Sequence, residues 1–203
     1  MRRLLLPSGR KEQPAHGDSF LRSTAEHCGH RRLRRVRGRP GDRQESQRHL
    51  RALMETLQIA RLLSRDAHTK DIVRKVVPKD VLLTQTIDTY PIAFVCNTHK
   101  RTKPGEHWIV LYVDDNGQGE YFCSYGLPLR HDEFRRFMDK HCVEWTHNSK
   151  RLQSPVSNVC GQYCVAYLMF RCRGLPMKEF VKGFGTDLVA NDCRVFDWVK
   201  VLN

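Results

Sequence analysis

QSPVSNVCGQYCVAYLMFRCRG, running from Gln153 to Gly174, decides how the rest of the chain is read. Its first part, Ser-Pro-Val-Ser-Asn-Val, reads as a loop. From Asn158 to Cys172 the chain is almost unbrokenly apolar, with Val159, Tyr163, Val165, Ala166, Tyr167, Leu168, Met169 and Phe170. A run of that length fits a helix buried on nearly all sides better than a strand. Asn158 is placed to cap it and Gly174 to end it. Cys160 then falls in the first turn, where unpaired backbone N–H groups and the positive dipole end favour a thiolate. A lowered thiol pKa makes a cysteine nucleophilic. Taken alone, Cys160 reads more readily as packing than as a nucleophile, as do Cys164 and Cys172, because buried cysteines are common and mostly inert.

Upstream of this helix the sequence changes period. Tyr90 to Asn97 reads as a strand, Lys103 to Glu106 as a turn, and His107 to Val113, HWIVLYV, as a second strand. That second strand is apolar throughout and hence central. Asp114 to Gly119, with Asn116-Gly117 inside it, is a hairpin turn. Glu120 to Tyr125 returns, and Gly126-Leu-Pro breaks it. His131 to His141 is an amphipathic helix with Phe134, Phe137 and Met138 on one face. Asn148 to Gln153 reads as a further edge strand, Met177 to Gly183 as a short helix, and Asn191 to Leu202 as a last one. On the N-terminal side, residues 45–64 place Leu50, Leu53, Leu57 and Ala60 on one helical stripe. Asp66 to Val77 reads as a second short helix stopped by Pro78. The expected fold class is α+β, with a mostly antiparallel central sheet and a buried central helix carrying the candidate nucleophile Cys160.

Composition bounds the partners. The net charge is +13, and residues 1–50 hold 13 Lys and Arg against five Asp and Glu. Residues 1–44 read as a basic leader too poor in apolar residues to fold alone, and 45–203 as the folded domain. Arg31 to Arg39, RRLRRVRGR, suits a nuclear-import signal, a DNA contact or a solvated tail. Eight cysteines lack any paired framework, and the apolar run in Met1-Arg-Arg-Leu-Leu-Leu-Pro is too short for a signal peptide. Free thiols in a nuclear or cytoplasmic compartment, without secretion or membrane insertion, are expected. His27, Cys28 and His30, like His141, Cys142 and His147, lack the paired spacing of a zinc site. The reading therefore calls for no metal and no cofactor.

A thiol protease needs a thiolate, an imidazole within reach and donors aimed at the oxyanion. His107 stands at the start of the central strand, after the turn, with Trp108 to wall the site. Gln153, seven residues before Cys160, offers a side-chain N–H, and the backbone N–H of Cys160 offers another. The array Gly-x-His-Trp, then aromatic-x-Ser-Tyr-Gly, then Gln-x6-Cys-Gly-x-Tyr-Cys resembles the adenovirus protease (adenain) family. It looks closest to the adenain-like proteases of large self-synthesising DNA transposons and related viruses. Cellular proteases of ubiquitin-like proteins share the plan. The likeness runs from about Leu57 to the end.

That resemblance implies Cys160 as nucleophile, His107 as general base and then acid, and Gln153 as oxyanion donor. Its implied substrates are viral or transposon capsid precursors, or ubiquitin-like conjugates. The family's His-orienting acid lies three residues before the Gly that ends the return strand, a place held here by Cys123, a poor acceptor. Strand alternation points Tyr121 and Cys123 to one face and Glu120 to the other, so Glu120 does not replace it. Three readings stay open: a cysteine endopeptidase weakened at Cys123, an inactive copy kept as a binding module, and a DNA-binding protein acting through the leader.

Overall fold

The computed structural model describes residues 55–103 and 105–201. The basic leader, Arg31–Arg39 and the first part of the helix expected over 45–64 lie outside the described residues.

Five strands form one sheet in sequential order: β1 (Val73–Pro78), β2 (Ile92–Asn97), β3 (Trp108–Val113), β4 (Gln118–Phe122) and β5 (Glu144–His147). The pairs β2–β3 and β3–β4 are antiparallel, the first joined by a longer loop and the second by a short turn. The β3–β4 turn uses Gly117 at φ +74°, a left-handed conformation that suits glycine. The two outer pairs are parallel. The sheet is therefore mixed, not mostly antiparallel. A helix stands in each outer connection: α2 (Lys79–Leu82) before β2, and α3 (Asp132–His141) before β5. Such a crossover brings the chain back in the same direction, where a hairpin would reverse it.

The expected helix over Asp66–Val77 is replaced by turns followed by β1. Val73, Val76 and Val77 are β-branched and pack on a pleated surface once β2 lies alongside. The return strand ends at Phe122, not Tyr125, because residues 123–126 turn: Gly126 N–H donates to Cys123 O at 2.8 Å. The last edge strand is β5, not Asn148–Gln153. Asn148 has its side chain committed to the backbone of Cys123, and the chain from there to Val159 runs as a loop.

Every residue of β2 and β3 is buried, so helices must cover both faces of the sheet. On one face Phe94, Ile109, Leu111 and Tyr121 meet Phe134, Phe137 and Met138 of α3. On the other lies α4 (Cys160–Arg171), buried at every residue from Cys160 to Phe170. Phe122 stacks on Tyr167 with centroids 4.4 Å apart. Around α4 pack α1 (Thr56–Arg65), α5 (Met177–Lys182) and α6 (Leu188–Val201). Each apolar side chain fully enclosed this way contributes roughly 1.5–3 kcal/mol.

Asn158 does not cap α4: it is exposed, and the helix begins after Val159 without a side-chain cap. Gly174, at φ +92°, ends it as expected. The last helix starts before Asn191 because Asp187 Oδ1 accepts the N–H groups of Val189 and Ala190. No helix among the described residues is long and apolar enough to cross a membrane.

Candidate active site

The ends of β3, β4 and α4 meet at one place. His107 directly precedes β3, with its carbonyl accepting Thr98 N–H at 2.9 Å. Its ring lies 4.8 Å from that of Tyr125, tilted by 31°. Its Nε2 is 3.3 Å from Cys123 Sγ, so the group facing the ring on that side is a thiol and not a carboxylate. Nδ1, on the other side of the ring, is buried and has no hydrogen-bond partner among the described residues. Burial, and then the charge of nearby His131, hold the His107 pKa down at about 4. The ring is thus neutral at pH 7, with one nitrogen a donor and the other an acceptor.

Cys160 is the first residue of α4 and is 3 % exposed. Backbone N–H groups of Trp108, Gly161 and Cys160 itself stabilise its sulfur as an anion, but burial outweighs them and pushes the thiol pKa up. This departs from the thiolate expected at a helix start. The dipole is legible in a sequence, whereas the desolvation that opposes it is a property of the packed molecule. The Trp108 N–H reaching Cys160 belongs to the residue next after His107, which brings the two candidate groups into one neighbourhood.

Cys123 sits in a pocket of donors. Burial pushes its pKa up, while the N–H groups of Leu127, Tyr125 and Gly126 and the Tyr121 hydroxyl pull it down. The turn that supplies these groups depends on Gly126, at φ +65°. A side chain there would also lie 2.6 Å from the carbonyl carbon of Lys150. Asn148 holds the turn from the other side: its Oδ1 accepts Cys123 N–H at 2.9 Å and its Nδ2 donates to Cys123 O at 2.7 Å. Glu120 points the opposite way, as alternation requires. It accepts from Tyr167 Oη and from Arg171 Nε, each at 2.5 Å, and fixes α4 to the sheet.

Gln153 is fully buried on the loop before α4. Its backbone N–H donates to Ser124 O at 3.0 Å. Its Oε1 accepts the Ser124 hydroxyl at 2.6 Å, and its Nε2 donates to Ser157 O at 2.9 Å. Beneath the loop, Asp192 of α6 accepts Ser154 N–H and the Tyr163 hydroxyl. Burial raises the Asp192 pKa. Sequence reasoning missed Ser124, Asn148 and Asp192. Only the Ser beside Cys123, within the aromatic-x-Ser-Tyr-Gly array, carried a signal.

Trp108 also lines an open cavity of about 450 Å³ with Asn97, His99, Lys100, Arg101 and Lys103. Neither His107 nor Cys160 lines it.

No protein-family model matches the chain, and no curated protein matches it in sequence. Solved structures do. The pS273R protease of ASFV superposes with a TM-score of 0.54 at 20 % identity, over 71 % of this chain and 67 % of that one. SUMO protease Ulp1 gives 0.44 at 14 % identity, over 78 % and 84 %. ChlaDub1 from Chlamydia trachomatis gives 0.42 at 13 %, over 75 % and 78 %. At these identities the likeness is one of fold. The chain has an α+β fold, built on a five-stranded mixed sheet, in common with the ASFV pS273R protease.

Proposed function

We propose that the protein is a cysteine peptidase that cleaves peptide or ubiquitin-like isopeptide bonds through an acyl-enzyme. The observation that carries this reading is the state of His107. Its Nε2 rests on Cys123, and its buried Nδ1 is unpartnered beside the segment whose backbone reaches Cys160 Sγ. A neutral imidazole with one buried, unused acceptor is costly as structure and suited to taking a proton.

In this mechanism the Cys160 proton moves to His107 Nδ1 as Sγ bonds to the substrate carbonyl carbon. The carbonyl oxygen becomes an oxyanion, held by the Cys160 backbone N–H and by Gln153 Nε2–H. The intermediate collapses, the C–N bond breaks, and the leaving amine takes the proton from His107. Water then attacks the thioester, giving its proton to Nδ1, and the acid is released as Sγ regains a proton. Because both groups start neutral, His107 acts as a true general base and not as half of a preformed ion pair. Capsid precursors of a virus or transposon, or ubiquitin-like conjugates, are the substrates the sequence resemblance implies.

A peptide probe with an acylating C-terminus is expected to label Cys160, with Cys160→Ala abolishing the label and His107→Ala reducing it at least a hundredfold. Labelling that persists in both variants would refute the proposal.

The contact with Cys123 favours a second reading, an inactive copy that binds without cutting. A neutral thiol is a weak acceptor for Nε2–H, so the productive tautomer is poorly held. Turnover of a peptide library decides between the two: cleavage by the wild-type chain removes the second reading. DNA contact through Arg31–Arg39 is separate. It predicts that deleting residues 1–44 lowers DNA affinity and flattens its salt dependence.

A further inference from the structure

Gln153 cannot present an N–H to an oxyanion unless its amide group is the right way round. An amide has an acceptor end and a donor end of nearly the same shape, so something must choose between them. One contact does so here, and a second anchors the far end of the amide. Ser157 O accepts and cannot donate, so the end facing it at 2.9 Å must be Nε2. Oε1 then faces the Ser124 hydroxyl at 2.6 Å, and that hydroxyl must donate. Both serines are buried, Ser124 at 1 % exposure, so water does not substitute for either. One Nε2 hydrogen is spent on Ser157 O. The other has only a longer 3.3 Å contact, to Ser157 Oγ.

Resting on the peptidase reading above, we propose that Ser124 is a positioning residue for the oxyanion hole. Its hydroxyl locks the Gln153 amide with Nε2 turned toward the segment that leads into Cys160. Ser124 touches no substrate. It also follows Cys123 directly, and its carbonyl accepts the N–H groups of Leu152 and Gln153 at 2.8 and 3.0 Å. The turn that places Cys123 against His107 therefore also holds the backbone and side chain of the oxyanion donor.

The test separates thiol reactivity from oxyanion stabilisation. Iodoacetamide alkylates Cys160 without creating an oxyanion. The aldehyde acetyl-Gly-glycinal adds Sγ to its carbonyl carbon, and its oxygen becomes the group held in the hole. Ser124→Ala is expected to weaken aldehyde inhibition about tenfold while changing the alkylation rate less than twofold. In a Gln153→Ala background, Ser124→Ala should have no further effect, because both act through one amide. If Ser124→Ala fails to fold, Ser124→Thr and Ser124→Val replace it. They have the same shape, and only Thr, which keeps the hydroxyl, should retain aldehyde affinity.

Unchanged aldehyde affinity in Ser124→Ala, equal affinity in the Thr and Val variants, or effects that multiply with Gln153→Ala would each overturn the proposal. A wild-type chain whose Cys160 binds no aldehyde sinks the peptidase reading, and this inference with it. Wild-type binding that survives loss of the hydroxyl sinks this inference alone.

Discussion

A single titration separates what His107 does for stability from the role proposed for it in catalysis. Its pKa of about 4 in the folded chain lies below the ordinary imidazole value of about 6.5. The unfolded chain thus binds a proton more readily between those two values. Stability should be full above pH 6.5 and fall as the pH drops toward 4, by on the order of 3 kcal/mol from this residue. Urea melts at pH 7 and pH 4.5 should show that loss in the wild type and a smaller one in His107→Ala. On the proposed mechanism the same value places the acid limb of kcat/KM near pH 4 and not near 6.5, since only a neutral ring could accept the Cys160 proton. Burial raises the Cys160 thiol, so its alkylation by iodoacetamide should still be climbing at pH 9. A plateau reached by pH 7 would instead mark a preformed thiolate. At residue 123, the three N–H groups and the Tyr121 hydroxyl form a shell suited to an anion. Cys123→Asp should therefore raise kcat/KM by roughly ten- to a hundredfold, through a better-held tautomer.

At the scale of elements, the sequence reading succeeded where one period dominates. The apolar run after Cys160 was too long for a strand and fitted a buried helix, and the alternation of Tyr121 and Cys123 against Glu120 put position 123 on the same side of the sheet as Tyr121. It failed at β1, where Val73, Val76 and Val77 satisfy a helical stripe as well as a strand. Only the neighbouring β2 decides between them. Ser124, Asn148 and Asp192 were illegible for a related reason. Each is a polar side chain turned inward by a partner 25 to 38 residues away. The 123–126 turn is the element most sensitive to change. Gly126→Ala would strain the backbone and displace Ser149 and Lys150, and should cost roughly 2–3 kcal/mol in a denaturant melt. Peptidase activity should fall with it, because the same turn carries Cys123 and Ser124.

Across the described residues, the sheet divides two helical layers, and the groups proposed to react gather where the central strands end. The α4 layer is fixed to the sheet by Glu120, which takes Tyr167 and Arg171 together, and by the stack of Tyr167 on Phe122. Glu120→Gln leaves Arg171 half-buried without its counter-charge, and should cost about 2 kcal/mol in a denaturant melt.

Asp192 has a consequence in time. It lies on α6, yet it supplies the acceptor for Ser154 and Tyr163 under the loop ahead of Cys160. While the chain is still being translated, and until residue 192 clears the ribosomal tunnel, that loop lacks its floor. A nascent polypeptide halted before that point carries the sulfur and the imidazole but not their finished surroundings. Synthesis itself thereby delays the onset of any chemistry until α6 has emerged to complete that floor.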